Sequence, residues 1–190
     1  MRAFRALISL LSPLVLVAAT SSEAGAYERQ WQAGFSAGYT HFVNTGATAI
    51  TPASYPGIGT SFTLTYGLSD AWNLIGHADF SFQPGANPVA LYGGSAGVSY
   101  VIDIVRLVPW LAVTAGGYGV TALDPCVTTD AAPCTNGRLG LSLLGGLDYQ
   151  LSRKFSIGGG GRYTALLFGN QNKADHAISV MARVQYIWGY

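Results

Sequence analysis

From Ile178 to the end of the chain, apolar side chains occupy every second position: Ile178, Val180, Ala182, Val184, Tyr186 and Trp188. The interleaved residues are Ser179, Met181, Arg183, Gln185, Ile187 and Gly189. A period of two is that of a β-strand, whose side chains alternate between two faces. Seven earlier runs repeat the pattern, over about 30–42, 59–68, 72–82, 90–102, 110–120, 138–149 and 155–167. In the first, Trp31, Ala33, Phe35, Ala37 and Tyr39 alternate with Gln32, Gly34, Ser36, Gly38 and Thr40. In the third, Trp72, Leu74, Ala78, Phe80 and Phe82 oppose Asn73, His77, Asp79 and Ser81. The fifth run carries apolar residues on both parities, and its facing stays open.

Each run has about the ten residues that a tilted strand needs to cross a hydrocarbon layer. The connections 68–72, 103–109 and 150–154 are short, and 43–58, 83–89, 121–137 and 168–175 are mostly longer. Short turns at one end and long loops at the other are the outer-membrane arrangement, and an even strand count puts both termini on the short-turn, periplasmic side. The expected fold is all-β: an eight-stranded antiparallel up-and-down transmembrane β-barrel. Aromatics near strand ends would form two interfacial girdles: Trp31, Tyr39, Trp72, Phe80, Phe82, Tyr92, Tyr100, Trp110, Tyr149, Phe155, Tyr186 and Trp188. The competing architecture is a soluble barrel of lipocalin type, with an apolar inside and a polar outside. Here the large residues share a face nearly free of charge, which in water would be a continuous exposed apolar belt.

Charge sharpens this reading. Residues 30–69 contain no Asp, Glu, Lys or Arg. A membrane helix is excluded there by Gly34, Gly38, Gly46, Pro52, Pro56, Gly57 and Gly59. The stretch 107–123 is broken by Pro109 and three glycines and is too short to span. At the start, Arg2 and Arg5 precede an apolar stretch over 6–19, and Ala24-Gly25-Ala26 offers a cleavage site. Residues 1–26 therefore read as a secretory signal peptide and 27–190 as the barrel domain. No Cys adjoins the site, which disfavours a lipoprotein. Cleavage would reduce ten basic and nine acidic residues to eight of each. A neutral mature chain argues against nucleic acid as a partner.

The strand-borne charges share the inward parity: Asp79, Arg138, Asp148, Arg162 and Arg183, with His77 beside them. Eight strands leave an interior that side chains can fill, and charges buried there must pair. Three arginines against two aspartates, with His77 and several hydroxyls, suggest a polar plug; a narrow gated pore is the alternative.

Catalytic readings are weaker. Thr63 and Ser61 would face His77 and Asp79, bringing together the ingredients of nucleophilic catalysis, but a polar lumen yields such groupings by chance. His176 and Ser179 have opposite parity and do not reproduce the His-x-Ser pattern associated with outer-membrane lipid A deacylases. Gly158–Gly161 lie inside a strand, so curvature or close approach explains them better than a phosphate loop. Cys126 and Cys134 sit in one loop of an exported chain and are expected to form a disulfide. No metal, cofactor or catalytic residue is expected, and the loops carry no basic patch.

The alternation, the loop lengths and the terminal pattern Val184-Gln-Tyr186-Ile-Trp188-Gly-Tyr190 resemble those of the small eight-stranded outer-membrane barrels, the OmpA/OmpX-like family. The resemblance covers 27–190. It implies that Tyr186, Trp188 and Tyr190 act as the signal read by the barrel-assembly machinery. The peptidoglycan-binding domain of larger members is not expected, since the sequence ends at Tyr190. The expected partners are that machinery, outer-membrane lipids and lipopolysaccharide, with the chain itself a monomer. The expected role is structural or surface-interactive. A small-solute or ion channel is the first alternative and a lipid-modifying enzyme the second.

Overall fold

The computed structural model describes residues 29–44, 53–85, 88–102, 106–122, 135–167 and 175–189. Eight strands run in chain order: β1 (Trp31–Asn44), β2 (Ala53–Gly67), β3 (Trp72–Gln83), β4 (Val89–Val101), β5 (Leu107–Ala122), β6 (Thr135–Gln150), β7 (Phe155–Leu167) and β8 (Asp175–Trp188). Every neighbour pair is antiparallel, and β8 pairs with β1 to close the barrel. Closure leaves no unpaired strand edge, the condition for a sheet in hydrocarbon.

Several strands are longer than the alternation alone indicates. β2 begins at Ala53, inside what reads as a loop, because Ala53–Ile58 pairs with Tyr39–Asn44. β8 begins at Asp175, paired with Leu166. Pro52, Pro56 and the polar residues there hide the strand from a pattern search. The connection 84–88 is also no longer than 102–106, so the alternation of loop length is incomplete.

The two faces separate cleanly. Outward positions include Phe35, Phe62, Leu111, Leu139 and Val180, each about half exposed or more. Inward positions carry buried Gln32, Ser36, Thr40, Thr63, Ser142, Ser179 and Gln185. At the short-turn end, outward aromatics pair: Trp31 with Tyr66 at 4.8 Å between ring centroids, Trp72 with Tyr100 at 5.0 Å, and Phe155 with Tyr186 at 5.1 Å. Two short turns share one device. Ser69 Oγ accepts from Trp72 N at 3.1 Å, and Ser152 Oγ accepts from Phe155 N at 3.2 Å. A serine hydroxyl thus satisfies a backbone N–H that the tight turn would strand.

Strand β5 corrects one expectation. Val108, Trp110, Ala112, Thr114 and Tyr118 point inward and are buried, while Leu107, Leu111, Val113 and Ala115 face out. Trp110 therefore belongs to the lumen and not to a girdle. The lumen is also not uniformly polar. Phe42, Val89, Leu91, Tyr118, Leu166 and Ala177 form an apolar cluster toward the long-connection end, and Ile75, Trp110, Ala112 and Leu144 form another lower down.

Candidate functional site

The three inward arginines each meet an aspartate. Arg162 on β7 pairs with Asp79 on β3, four strands away around an eight-stranded ring, so the pair spans the barrel. Arg183 on β8 makes a two-pronged contact with Asp148 on β6: Nε donates to Oδ1 at 2.8 Å, and a terminal nitrogen donates to Oδ2. Arg138 on β6 pairs with Asp175 on β8. Asp175, read from sequence as the end of a loop, is thus the missing acid that balances the three arginines. His77 is then not needed for charge neutrality. It instead lies 3.0 Å from Thr63 Oγ1 through Nδ1, with Nε2 buried and unpartnered.

The Arg183–Asp148 pair reaches over β7, and the glycines explain how. A Cβ on Gly158 would lie 2.1 Å from Asp148 Oδ1. The ring of Trp110 lies over β6 and β7, where a Cβ on Gly146 or Gly160 would fall 2.7 or 2.9 Å from Cζ2. Half of the four-glycine run is therefore a bare floor beneath a tryptophan and a carboxylate. The Arg183 guanidinium stacks on Trp110, 4.0 Å from the ring centroid, a cation–π contact. A cavity of about 30 Å³ lies on one side of this partition and one of about 20 Å³ on the other; Trp110 and Arg183 line both. Each exceeds the roughly 10–15 Å³ that an ordered water needs. Further bonds knit the walls: Ser142 Oγ to Thr164 Oγ1 at 2.8 Å, Tyr118 Oη to Ser142 Oγ at 3.1 Å, and Gln83 Nε2 donating to Ser81 Oγ at 2.9 Å.

The catalytic grouping does not assemble in the lumen. Thr63 and Ser61 do stand opposite His77 and Asp79 in register, but Asp79 is held by Arg162, and Ser61 Oγ points at Met181 Sδ, 3.9 Å away. His176 faces outward beside Tyr163, and Ser179 faces inward. Among the described residues, no cluster of three or more His, Cys, Asp or Glu could hold a metal. Tyr186 and Trp188 face outward and stack at 5.8 Å. Cys126, Cys134, Tyr190 and the expected leader at 1–26 lie outside the described residues.

Sequence reasoning missed one polar group on the outer face. His41 Nδ1 lies 3.0 Å from Tyr39 Oη, and His41 Nε2 lies 3.0 Å from Ser54 Oγ. Ser54 was hidden because β2 extends into the apparent loop. A serine beside a histidine resembles a nucleophile with its base, but the third partner is a phenol. The described acids are Asp70 in a short turn and Asp79, Asp148 and Asp175 in the lumen. None of these orients His41.

No protein-family model matches the sequence, and no curated protein matches it. Solved structures do. Neisserial surface protein A (NspA) is similar with 15% identity over 83% of this chain and 96% of that one, at a TM-score of 0.66. Ail, the attachment invasion locus protein of Yersinia pestis, has 12% identity over 85% and 99%, at 0.53. The N-terminal barrel domain of Pseudomonas aeruginosa OprF has 11% identity over 85% and 98%, also at 0.53. At such identities the likeness speaks to architecture: a closed eight-stranded antiparallel barrel of matching size.

Proposed function

We propose that this chain, whose fold is that of the small eight-stranded outer-membrane barrels, is an exported outer-membrane protein that serves as a closed scaffold. In this reading residues 1–26 are removed on export, and both termini face the periplasm. The long connections stand at the cell surface as interaction loops, one of them closed by Cys126–Cys134. Tyr186, Trp188 and Tyr190 are read by the assembly machinery. The outward apolar belt supports membrane residence, because its exposed Phe, Leu and Val side chains would be costly in water.

One observation carries the closed-scaffold reading. The Arg183–Trp110–Asp148 partition and the Arg162–Asp79 strut cross the lumen, and the two cavities that flank the partition measure only about 30 and 20 Å³. A solute path would require these groups to move apart. The test is conductance in a planar bilayer. The parent and Arg162→Ala are both expected to stay near baseline, with the variant less stable. Discrete conducting steps from the parent, together with unchanged stability in Arg162→Ala, would overturn the scaffold in favour of a channel. The channel is the second reading, supported by the two cavities that stand on either side of a single partition.

A further inference from the structure

A groove of about 390 Å³ opens on the outside of the barrel, lined by Ala37, Gly38, Ile58, Gly59, Thr60, Phe80 and Phe82. It is apolar, and it is more than ten times the size of either luminal cavity. Its floor is bare backbone for an internal reason. Gly59 points inward, where a Cβ would lie 2.5 Å from Thr40 Cγ2. Ala37 and Thr60 form one cross-strand row on the outer face, between the larger rows Tyr39–Ile58 and Phe35–Phe62. Phe80 stands beside Thr60, and Phe82 beside Ile58.

Directly above the groove, toward the long-connection end, sits the Tyr39–His41–Ser54 group. Its hydrogen count is decisive. A neutral imidazole brings one donor and one acceptor, and each hydroxyl brings one donor. Two internal bonds use two of the three hydrogens. One hydroxyl hydrogen is left over, on Ser54 or Tyr39 according to the tautomer, and both side chains are exposed. A protonated imidazole donates from both nitrogens and frees both hydroxyl hydrogens. In either state at least one hydroxyl hydrogen stays free to donate to an acceptor oxygen outside the protein.

We propose that this clamp and groove bind one lipopolysaccharide of the outer leaflet, a deepening that rests on the outer-membrane reading above. An acyl chain lies in the groove, and an ester carbonyl or phosphate oxygen of the lipid A moiety accepts from the clamp. The arguments for this occupant are place and chemistry. The groove faces the hydrocarbon layer, its mouth lies at the end assigned to the cell surface, and donor and apolar slot sit in the order that an acylated, oxygen-rich headgroup presents them.

The test uses the folded mature barrel in detergent, mixed with purified lipid A or with phosphatidylethanolamine of matched acyl length, and native mass spectrometry as readout. The expected result is one lipid A retained per barrel, in at least about ten-fold preference to phosphatidylethanolamine. Thr60→Phe fills the groove and should lower retention about ten-fold. Tyr39→Phe, His41→Phe and Ser54→Ala together remove every donor of the group and should erase the preference while leaving some lipid bound. Ala115→Phe, on the outer face of the far wall, should change nothing. Should Thr60→Phe fail to fold by gel mobility, Ala37→Ile replaces it. Undiminished retention in the filled variant, equal retention of both lipids by the parent, or a protein dimer blocked by Thr60→Phe would each overturn the proposal. Conductance from the parent would overturn the scaffold reading and leave this one standing.

Discussion

Removing Asp148 while Arg183 remains isolates the chief electrostatic commitment inside the barrel. The side chains are 11% and 5% exposed for Arg183 and Asp148, so bulk water screens the pair little. Two charge-assisted bonds are lost in Asp148→Ala, and such bonds contribute about 1.5–3 kcal/mol each. The stranded guanidinium is also hard to rehydrate, because Trp110 lies against it at 4.0 Å. Breaking a buried pair from one side costs about 3–5 kcal/mol, and the same cost is expected here for Asp148→Ala. Arg183→Met should cost a similar amount by leaving the carboxylate alone. The double variant should cost far less than the two together, since exchanging a buried pair for apolar side chains is often near neutral. Equilibrium urea unfolding in lipid vesicles, followed by tryptophan fluorescence and by gel mobility of the folded barrel, supplies all four corners of the cycle. A coupling within the roughly 0.3–0.5 kcal/mol at which independent sites add would refute a desolvated pair and with it the partition.

The glycine run offers a sharper contrast than its composition suggests: Gly158→Ala drives a methyl into Asp148 and should abolish or badly impair assembly, whereas Gly161→Ala, whose nearest contact is Ser179 O at 3.7 Å, should fold like the parent within about 0.5 kcal/mol. Gel mobility after refolding distinguishes the two. A cysteine placed at Gly46 should react with an impermeant thiol reagent on intact cells, and one at Asp70 should not; the reverse would invert the topology. Mass spectrometry of unreduced mature protein should find it two hydrogens lighter than the reduced form, from a Cys126–Cys134 bond whose short loop is worth only about 2–3 kcal/mol, so the barrel should survive reduction.

Much of this architecture can be read from the chain because a membrane barrel writes its environment into every second residue. Lipid accepts only apolar groups on one face, and the lumen accepts small or paired polar groups on the other, so parity alone assigns Phe35, Leu64 and Val180 outward and Ser36, Thr63 and Ser179 inward. Seven strands follow that rule apart from isolated inward apolar residues such as Phe42, Ile75, Leu91, Leu144 and Leu166. In β5 both parities are apolar, because the lumen itself buries Trp110, Ala112 and Tyr118, and a one-strand pattern cannot tell lipid from an apolar interior. Asp175 and Ser54 escaped for a related reason. Each lies in a strand extension formed by cross-strand pairing beyond the alternating stretch, where proline or polar residues mimic a loop.

The sequence by itself determined the strand count, five of the six inward charges and the apolar belt, since these depend on local periodicity and on the cost of placing charge in hydrocarbon. It also placed Arg138, Arg162, Arg183, Asp79 and Asp148 in a shared interior. Only the tertiary structure decided who pairs with whom. Partner choice depends on shear and closure, which bring β3 opposite β7 and carry Arg183 across β7 to Asp148. The same geometry turned an uninformative glycine run into the space that Trp110 and Asp148 occupy, and set His41 between two hydroxyls thirteen residues apart in chain (Ser54) and two apart (Tyr39). Contacts of that kind follow from the register of neighbouring strands, which no single strand encodes.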